Sequence, residues 1–259
     1  IKDALAQIAA GAHILDVNAG VTAVNPNETE PPLMRQTLEI VQSICDMPLC
    51  IDSSVTSALK MGLETAKGRP LVNSVTGEEE KLEAILPLVA KYNVAVVAIS
   101  NDETGISEDP DVRFEVARKI VQRAADHGIK PHDIVVDPLV MPIGAINQAG
   151  VQVMALVHRL RTELKVNTTC GASNVSFGLP ERNGVNSAFL TMAIAAGMTS
   201  AIMNPVRQQE MEAIRAANML MNHDANGGEW IRFSKVLEAV EGGLSFAEAS
   251  AAASQAAGG

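Results

Sequence analysis

Short apolar runs alternate with longer amphipathic stretches along the chain, and each run closes on small polar residues. The runs are His13–Val17, Leu49–Ile51, Leu71–Val72, Val94–Ile99, Asp133–Val136, Thr168–Gly171 and Ser200–Met203. Their polar ends are Asp16/Asn18, Asp52, Asn73, Ser100/Asn101, Asp137, Ser173/Asn174 and Asn204. From Asp16 to Asn204 these ends recur about every 31 residues, the length of a strand-helix repeat. Helices are predicted over Ile1–Ala10, Glu78–Lys91, Asn186–Ala196 and Gln208–Met221. Asp109-Pro110 reads as a cap with proline at the first helical position, opening a helix to about His127. The strands read as apolar on both faces, as in a parallel sheet covered by helices.

Two folds share this alternation: the open doubly wound sheet and the eight-fold barrel. No G-x-G-x-x-G or G-x-x-x-x-G-K turn follows the first strand, which argues against the open sheet. Polar residues at nearly every strand end argue for the barrel, whose sites collect there. The predicted fold is therefore α/β, a TIM (β/α)8 barrel. Seven strands against eight helices, and a helix first, imply that its first strand is lacking in this chain. The barrel is expected over residues 1–241 as one domain. Residues 242–259 form an Ala-rich tail, predicted as a peripheral helix over Leu244–Ala257 that frays into Gly258-Gly259 or starts a linker.

Composition narrows the function. Of 259 residues, 47% are hydrophobic and 19% charged, enough for a sizeable core. The net charge of −10 opposes a nucleic-acid surface, and 3% aromatics leave little for base stacking. No stretch approaches the roughly 18 apolar residues of a membrane span, and the first residues are not a signal peptide. Cys45, Cys50 and Cys170 are too few and too spread for a disulfide framework, so a reducing cytoplasm is expected. No metal site is expected.

Asp52, Asn73 and Asp137 each follow a buried run, and a carboxylate there is costly unless paired. Two carboxylates and an amide with little positive charge suit a neutral ligand rich in N–H donors, such as an amino-pyrimidinone ring, whose guanidine-like edge donates two parallel hydrogen bonds. The alternative is that these carboxylates cap helices or bind internal Lys or Arg. The segment Gly171–Arg182 is long, polar and rich in small residues, and it reads as a functional loop. The acid-rich stretch Asn101–Asp111 lacks calcium-loop spacing and reads as a solvated cap. The five histidines share no metal spacing and read as structural. Arg207 touches substrate or merely opens a helix, and Met141, Met192 and Met198 read as core packing.

Leu15-Asp16-Val17-Asn18, Ile51-Asp52-Ser53, Val72-Asn73-Ser74, Val136-Asp137-Pro138-Leu139 and Gly171-Ala172-Ser173-Asn174-Val175-Ser176 occur in the order and spacing of the pterin-binding family. The resemblance covers about residues 1–230. Ser173-Asn174-Val175-Ser176, Ala193-Ile194-Ala195-Ala196-Gly197-Met198 and Ile202 resemble its methyltransferase branch, the methyltetrahydrofolate:corrinoid methyltransferases and methionine synthase folate domains. Phe177 resembles the methionine synthase form of the loop. The resemblance implies that Asp137 and Asn73 bind the pterin edge and that Asp52 binds another ring N–H. It places Asn174 near nitrogen-5, with Ser173 beside it, and puts Asp16 and Asn18 at the barrel mouth. Arg182 matches a loop arginine near the corrinoid. It also implies 5-methyltetrahydrofolate as substrate, a cobalamin (corrinoid) carried by a partner protein, and a homodimer. The alternatives are dihydropteroate synthase, or a non-catalytic pterin-binding module. Against the synthase, Ser173-Asn174-Val175 stands where that enzyme carries a Ser-Arg-Lys type motif.

Overall fold

A computed structural model describes residues 1–257, with side chains through residue 253. The chain opens on helix α1 (Lys2–Ala9) and then alternates: β1 (Leu15–Asn18), α2 (Pro26–Ile44), β2 (Leu49–Asp52), α3 (Thr56–Thr65), β3 (Leu71–Thr76), α4 (Glu79–Tyr92), β4 (Ala95–Ile99) and α5 (Pro110–Asp126). There follow β5 (Ile134–Asp137), α6 (Ala149–Arg159), β6 (Asn167–Thr168), α7 (Arg182–Ala196), α8 (Gln208–Leu220), α9 (Gly228–Glu241) and α10 (Phe246–Ala257).

All strand pairs are parallel, and the sheet runs β1-β2-β3-β4-β5-β6 in chain order. A doubly wound sheet reverses its strand order at a switch point. The unbroken sequential order is that of a TIM barrel. The strand boundaries differ from the sequence expectation. The first strand starts at Leu15 rather than His13, and the third runs on to Thr76. The expected seventh strand, Ser200–Met203, is one parallel bridge, Gly171 to Ile202. Its ladder is short because it is bonded on one side only, through Ser200 N to Thr168 O at 3.0 Å and Ile202 N to Cys170 O at 2.8 Å. Among the described residues no ladder joins Ile202 to β1.

Contrary to the expectation of strands apolar on both faces, the two faces differ. Leu15, Val17, Leu49, Ile51, Val72, Val96, Ala98, Ile134 and Val136 alternate along the strands and belong to one core cluster with the helices. Close helix-sheet approach is built in at Gly62 of α3, where a Cβ would sit 2.5 Å from Ile51 Cγ2. The opposite face carries Asp16, Asn18, Cys50, Asp52, Asn73, Val97, Val135 and Asp137, as the period of two requires.

Two helix ends carry the signals read from the sequence. The Asp109 carboxylate accepts from Asp111 N at 2.8 Å and Pro110 opens α5. Gly197, at φ +107, closes α7, which begins at Arg182, four residues before the expected Asn186. The tail forms the expected peripheral helix. Phe246 of α10 faces Phe233 of α9 at 6.5 Å between ring centres, and α10 also packs on α1. The expected fraying at Gly258-Gly259 lies outside the described residues. No helix among the described residues is long and apolar enough to cross a membrane.

Candidate active site

Register brings the predicted polar residues together. Asn18, Asp52 and Asn73 are consecutive partners on β1, β2 and β3, and Asp16 lies beside Cys50 one pleat below. Asp137 ends β5 on the same face, opposite Ile99. Asn18 Nδ2 donates to Asp52 Oδ2 at 2.9 Å. Asp16 lies on the same face as Asp52 and Cys50, and its carboxylate raises both groups. Burial raises the Asp52 carboxyl, the bond from Asn18 lowers it, and the negative charges of Asp16 and Glu30 raise it further. Burial and Asp16 likewise push the Cys50 thiol far up, so it stays neutral.

Asp137 is pushed up to about 6 by burial, against the lowering effect of one backbone bond, Leu139 N to Asp137 Oδ1 at 2.8 Å. None of Asp16, Asp52 and Asp137 forms an ion pair among the described residues. The alternative of an internal Lys or Arg partner therefore does not describe them. The face offers hydrogen-bond acceptors without a competing cation, which suits a neutral ligand with N–H donors.

The loop after β6 turns back at Ala172–Asn174. Asn174 is exposed, its N–H donates to Gly171 O at 3.0 Å, and its carbonyl accepts from Phe177 N at 3.1 Å. A Cβ at Gly171 would sit 3.0 Å from Asn174 Nδ2, so glycine there lets the Asn174 amide fold close. Arg182 reaches inward to this loop. Its Nε donates to Ser176 Oγ at 2.9 Å and its Nη2 to Ser173 O at 2.6 Å, with Phe177 stacked at 6.0 Å. The guanidinium thus fixes the shape of the loop that carries Ser173 and Asn174.

Two of the buried charged residues lie close behind the site and were not anticipated from sequence. Glu30 of α2 accepts from Ser53 Oγ behind Asp52, and Arg113 of α5 lies beneath the Asp137 turn. Both had a signal, because each sits at helical spacing in an apolar stripe: Glu30, Met34, Leu38, and Arg113, Ala117, Ile120, Ala124.

The remaining candidates carry little. Asp102 accepts from Thr104, and Glu103 accepts from Glu79 N, so the acid-rich loop is the expected cap. Arg207 is exposed and donates to Asn183 Oδ1 at 2.9 Å. All five histidines are exposed. Met198 is buried as expected, whereas Met192 faces solvent on α7.

The pterin binding enzyme family matches residues 1–204. A methylcorrinoid:tetrahydrofolate methyltransferase from Eubacterium limosum is 36% identical over 228 residues, covering 86% of this chain and 83% of that protein. A methionine synthase from Mycobacterium tuberculosis is 31% identical over 181 residues, or 65% of this chain but 15% of that much longer protein. Among solved structures, a dihydropteroate synthase from Xanthomonas albilineans superimposes with a TM-score of 0.69 at 23% identity, covering 85% of this chain and 84% of that one. A Yersinia pestis enzyme of the same name gives 0.69 at 17% identity, covering 85% and 88%. At such identities these structures show the fold alone.

Proposed function

The chain belongs to the pterin-binding enzyme family, and from that premise we propose that it moves a methyl group between 5-methyltetrahydrofolate and a Co(I) corrinoid carried by a partner protein. One observation carries the reading: Asn18, Asp52 and Asn73 form a single cross-strand row, with Asp137 on the same face and, among the described residues, no ion pair to the carboxylates. The relative from Eubacterium limosum supports the choice of reaction. The barrel ends at about residue 241 in this proposal, residues 242–259 being an appended tail. A cytoplasmic homodimer completes it.

In this reading the ionised Asp137 accepts two parallel hydrogen bonds from the guanidine-like pterin edge, with the Asn73 amide beside it. Asp52, oriented by the Asn18 amide, accepts another ring N–H. The corrinoid supplies a reduced cobalt nucleophile as methyl acceptor. Displacement at the methyl carbon leaves an amine at nitrogen-5, a poor leaving group unless that nitrogen gains a proton or hydrogen bond in the transition state. Asn174 is too weak an acid to supply the proton. It holds a proton at nitrogen-5 and tightens its contact as the amine departs. Arg182 contributes on the corrinoid side through the loop it braces.

Dihydropteroate synthesis remains the competing reaction, and a two-arm assay separates them. With methyltetrahydrofolate and Co(I) cobalamin the chain forms methylcobalamin; with a pterin pyrophosphate and p-aminobenzoate it forms no pteroate. Pteroate formation without methyl transfer would reverse the assignment. Tight folate binding with no turnover in either arm would leave a pterin-binding module. Arg182→Ala is expected to lower kcat at least about tenfold, within the roughly hundredfold that misplacing a catalytic group can cost, and to leave the folate Kd nearly unchanged. Steady-state kinetics beside a binding titration check this, and an equal loss in both would place Arg182 on the pterin instead.

A further inference from the structure

The α5 residue Arg113 is only 1% exposed, yet it makes no ion pair among the described residues. Burying an unpaired guanidinium is costly, and an apolar residue would pack this face as Phe114, Ala117, Ile120 and Ala124 already do. What the cation does is gather carbonyls. Its Nη1 donates to Pro138 O at 2.9 Å and to Leu139 O at 2.8 Å. Its Nη2 makes longer contacts to Gln152 Oε1 at 3.4 Å and Glu108 O at 3.5 Å, and its Nε has no partner. The two short bonds fall on the turn immediately after Asp137.

That turn is strained. Leu139 stands at φ +59, a left-handed conformation that a leucine adopts only when its surroundings hold it. In that conformation the Leu139 N–H meets Asp137 Oδ1 at 2.8 Å. The chain of contacts is therefore Arg113 guanidinium, Pro138 and Leu139 carbonyls, Leu139 amide, Asp137 carboxylate.

We infer that Arg113 is a positioning residue: it clamps the Pro138-Leu139 turn so that the Leu139 amide fixes the plane of the Asp137 carboxylate toward the pterin edge. This rests on the reading of Asp137 as the pterin anchor. A bidentate contact needs both carboxylate oxygens coplanar with the ring, so a freely rotating Asp137 loses affinity even though its charge is intact. The Asp137 carboxyl is faced by the Leu139 amide and by the neutral Cys170 thiol, whose own ionisation Asp137 opposes.

The test uses the full chain, 5-methyltetrahydrofolate as probe, and the variants R113M and R113K. In the wild type, binding weakens as pH falls through about 6, where Asp137 takes up its proton. The Leu139 bond holds that carboxyl down, so releasing the turn moves the binding midpoint to higher pH. R113M is expected to raise Kd at neutral pH about tenfold or more and to shift the midpoint upward. R113K, which keeps the cation but not the forked reach of the guanidinium, recovers only part of both. A folded R113M with wild-type Kd and midpoint overturns the inference, whatever its melting temperature. If R113M does not fold, R113K carries the comparison: a smaller upward shift supports the clamp and no shift overturns it. If the wild type binds no folate, the pterin reading fails, and the clamp is read instead from the Asp137 titration by carboxyl 13C NMR, moved up in the variant or unmoved.

Discussion

Asp137→Asn is expected to abolish measurable 5-methyltetrahydrofolate binding, raising Kd a hundredfold or more, while the ligand-free chain melts at a higher temperature at pH 8. The binding loss follows because asparagine keeps one acceptor but turns a donor toward the guanidine-like edge. Removing one partner of a hydrogen-bonded charged contact costs about 2–5 kcal/mol. The gain in stability follows from the raised carboxyl, displaced from 3.8 to about 6 in the fold. Below pH 4 both folded and unfolded chains hold the proton and Asp137 contributes nothing. As pH rises toward 6 the unfolded chain ionises first, so the folded state loses stability, by up to about 3 kcal/mol once both are ionised. Asparagine escapes that cost and still accepts the Leu139 amide. Titration calorimetry and thermal melts at pH 5 and pH 8 check both halves. Undiminished affinity would remove Asp137 from the pterin edge. A melting temperature unchanged at both pH values would contradict a raised carboxyl.

The second large effect is kinetic. Asn174→Ala is expected to lower the single-turnover rate of methyl transfer about a hundredfold, the order of loss for one transition-state hydrogen bond, and to change the folate Kd less than about threefold. The site tolerates the change because Asn174 is exposed and its backbone bonds to Gly171 and Phe177 do not need the side chain. Only an interaction that grows between bound substrate and transition state separates rate from affinity in this way. Comparable losses in both would make Asn174 a simple binding residue.

Much of the fold was legible because parallel strands buried under helices write short β-branched runs. The polar ends Asp52, Asn73 and Asp137 stood out against the apolar residues before them. The seventh strand was not legible as a bare bridge, since Ser200–Met203 has strand-like composition and only its pairing limits it. Nor was the split between the two faces, because Cys50, Val97 and Val135 keep the site side apolar enough between its acids. The residues that aim the site are the ones the pattern hides. Glu30 and Arg113 occupy positions where helical spacing calls for an apolar side chain, and their contacts, to Ser53 and to the Pro138-Leu139 turn, are distant in sequence. The role of Arg182 in bracing its own loop likewise depended on how Ser173 and Ser176 fold back.

The most direct test of methyl transfer is a single turnover. The chain, loaded with 5-methyltetrahydrofolate, is mixed anaerobically with excess Co(I) cobalamin, and the cobalt absorbance is followed beside the folate product. The predicted result is loss of Co(I) and appearance of methylcobalamin and tetrahydrofolate together, at one rate and in equal amounts to the bound folate. Persistence of the Co(I) spectrum while the folate stays bound and methylated would contradict it.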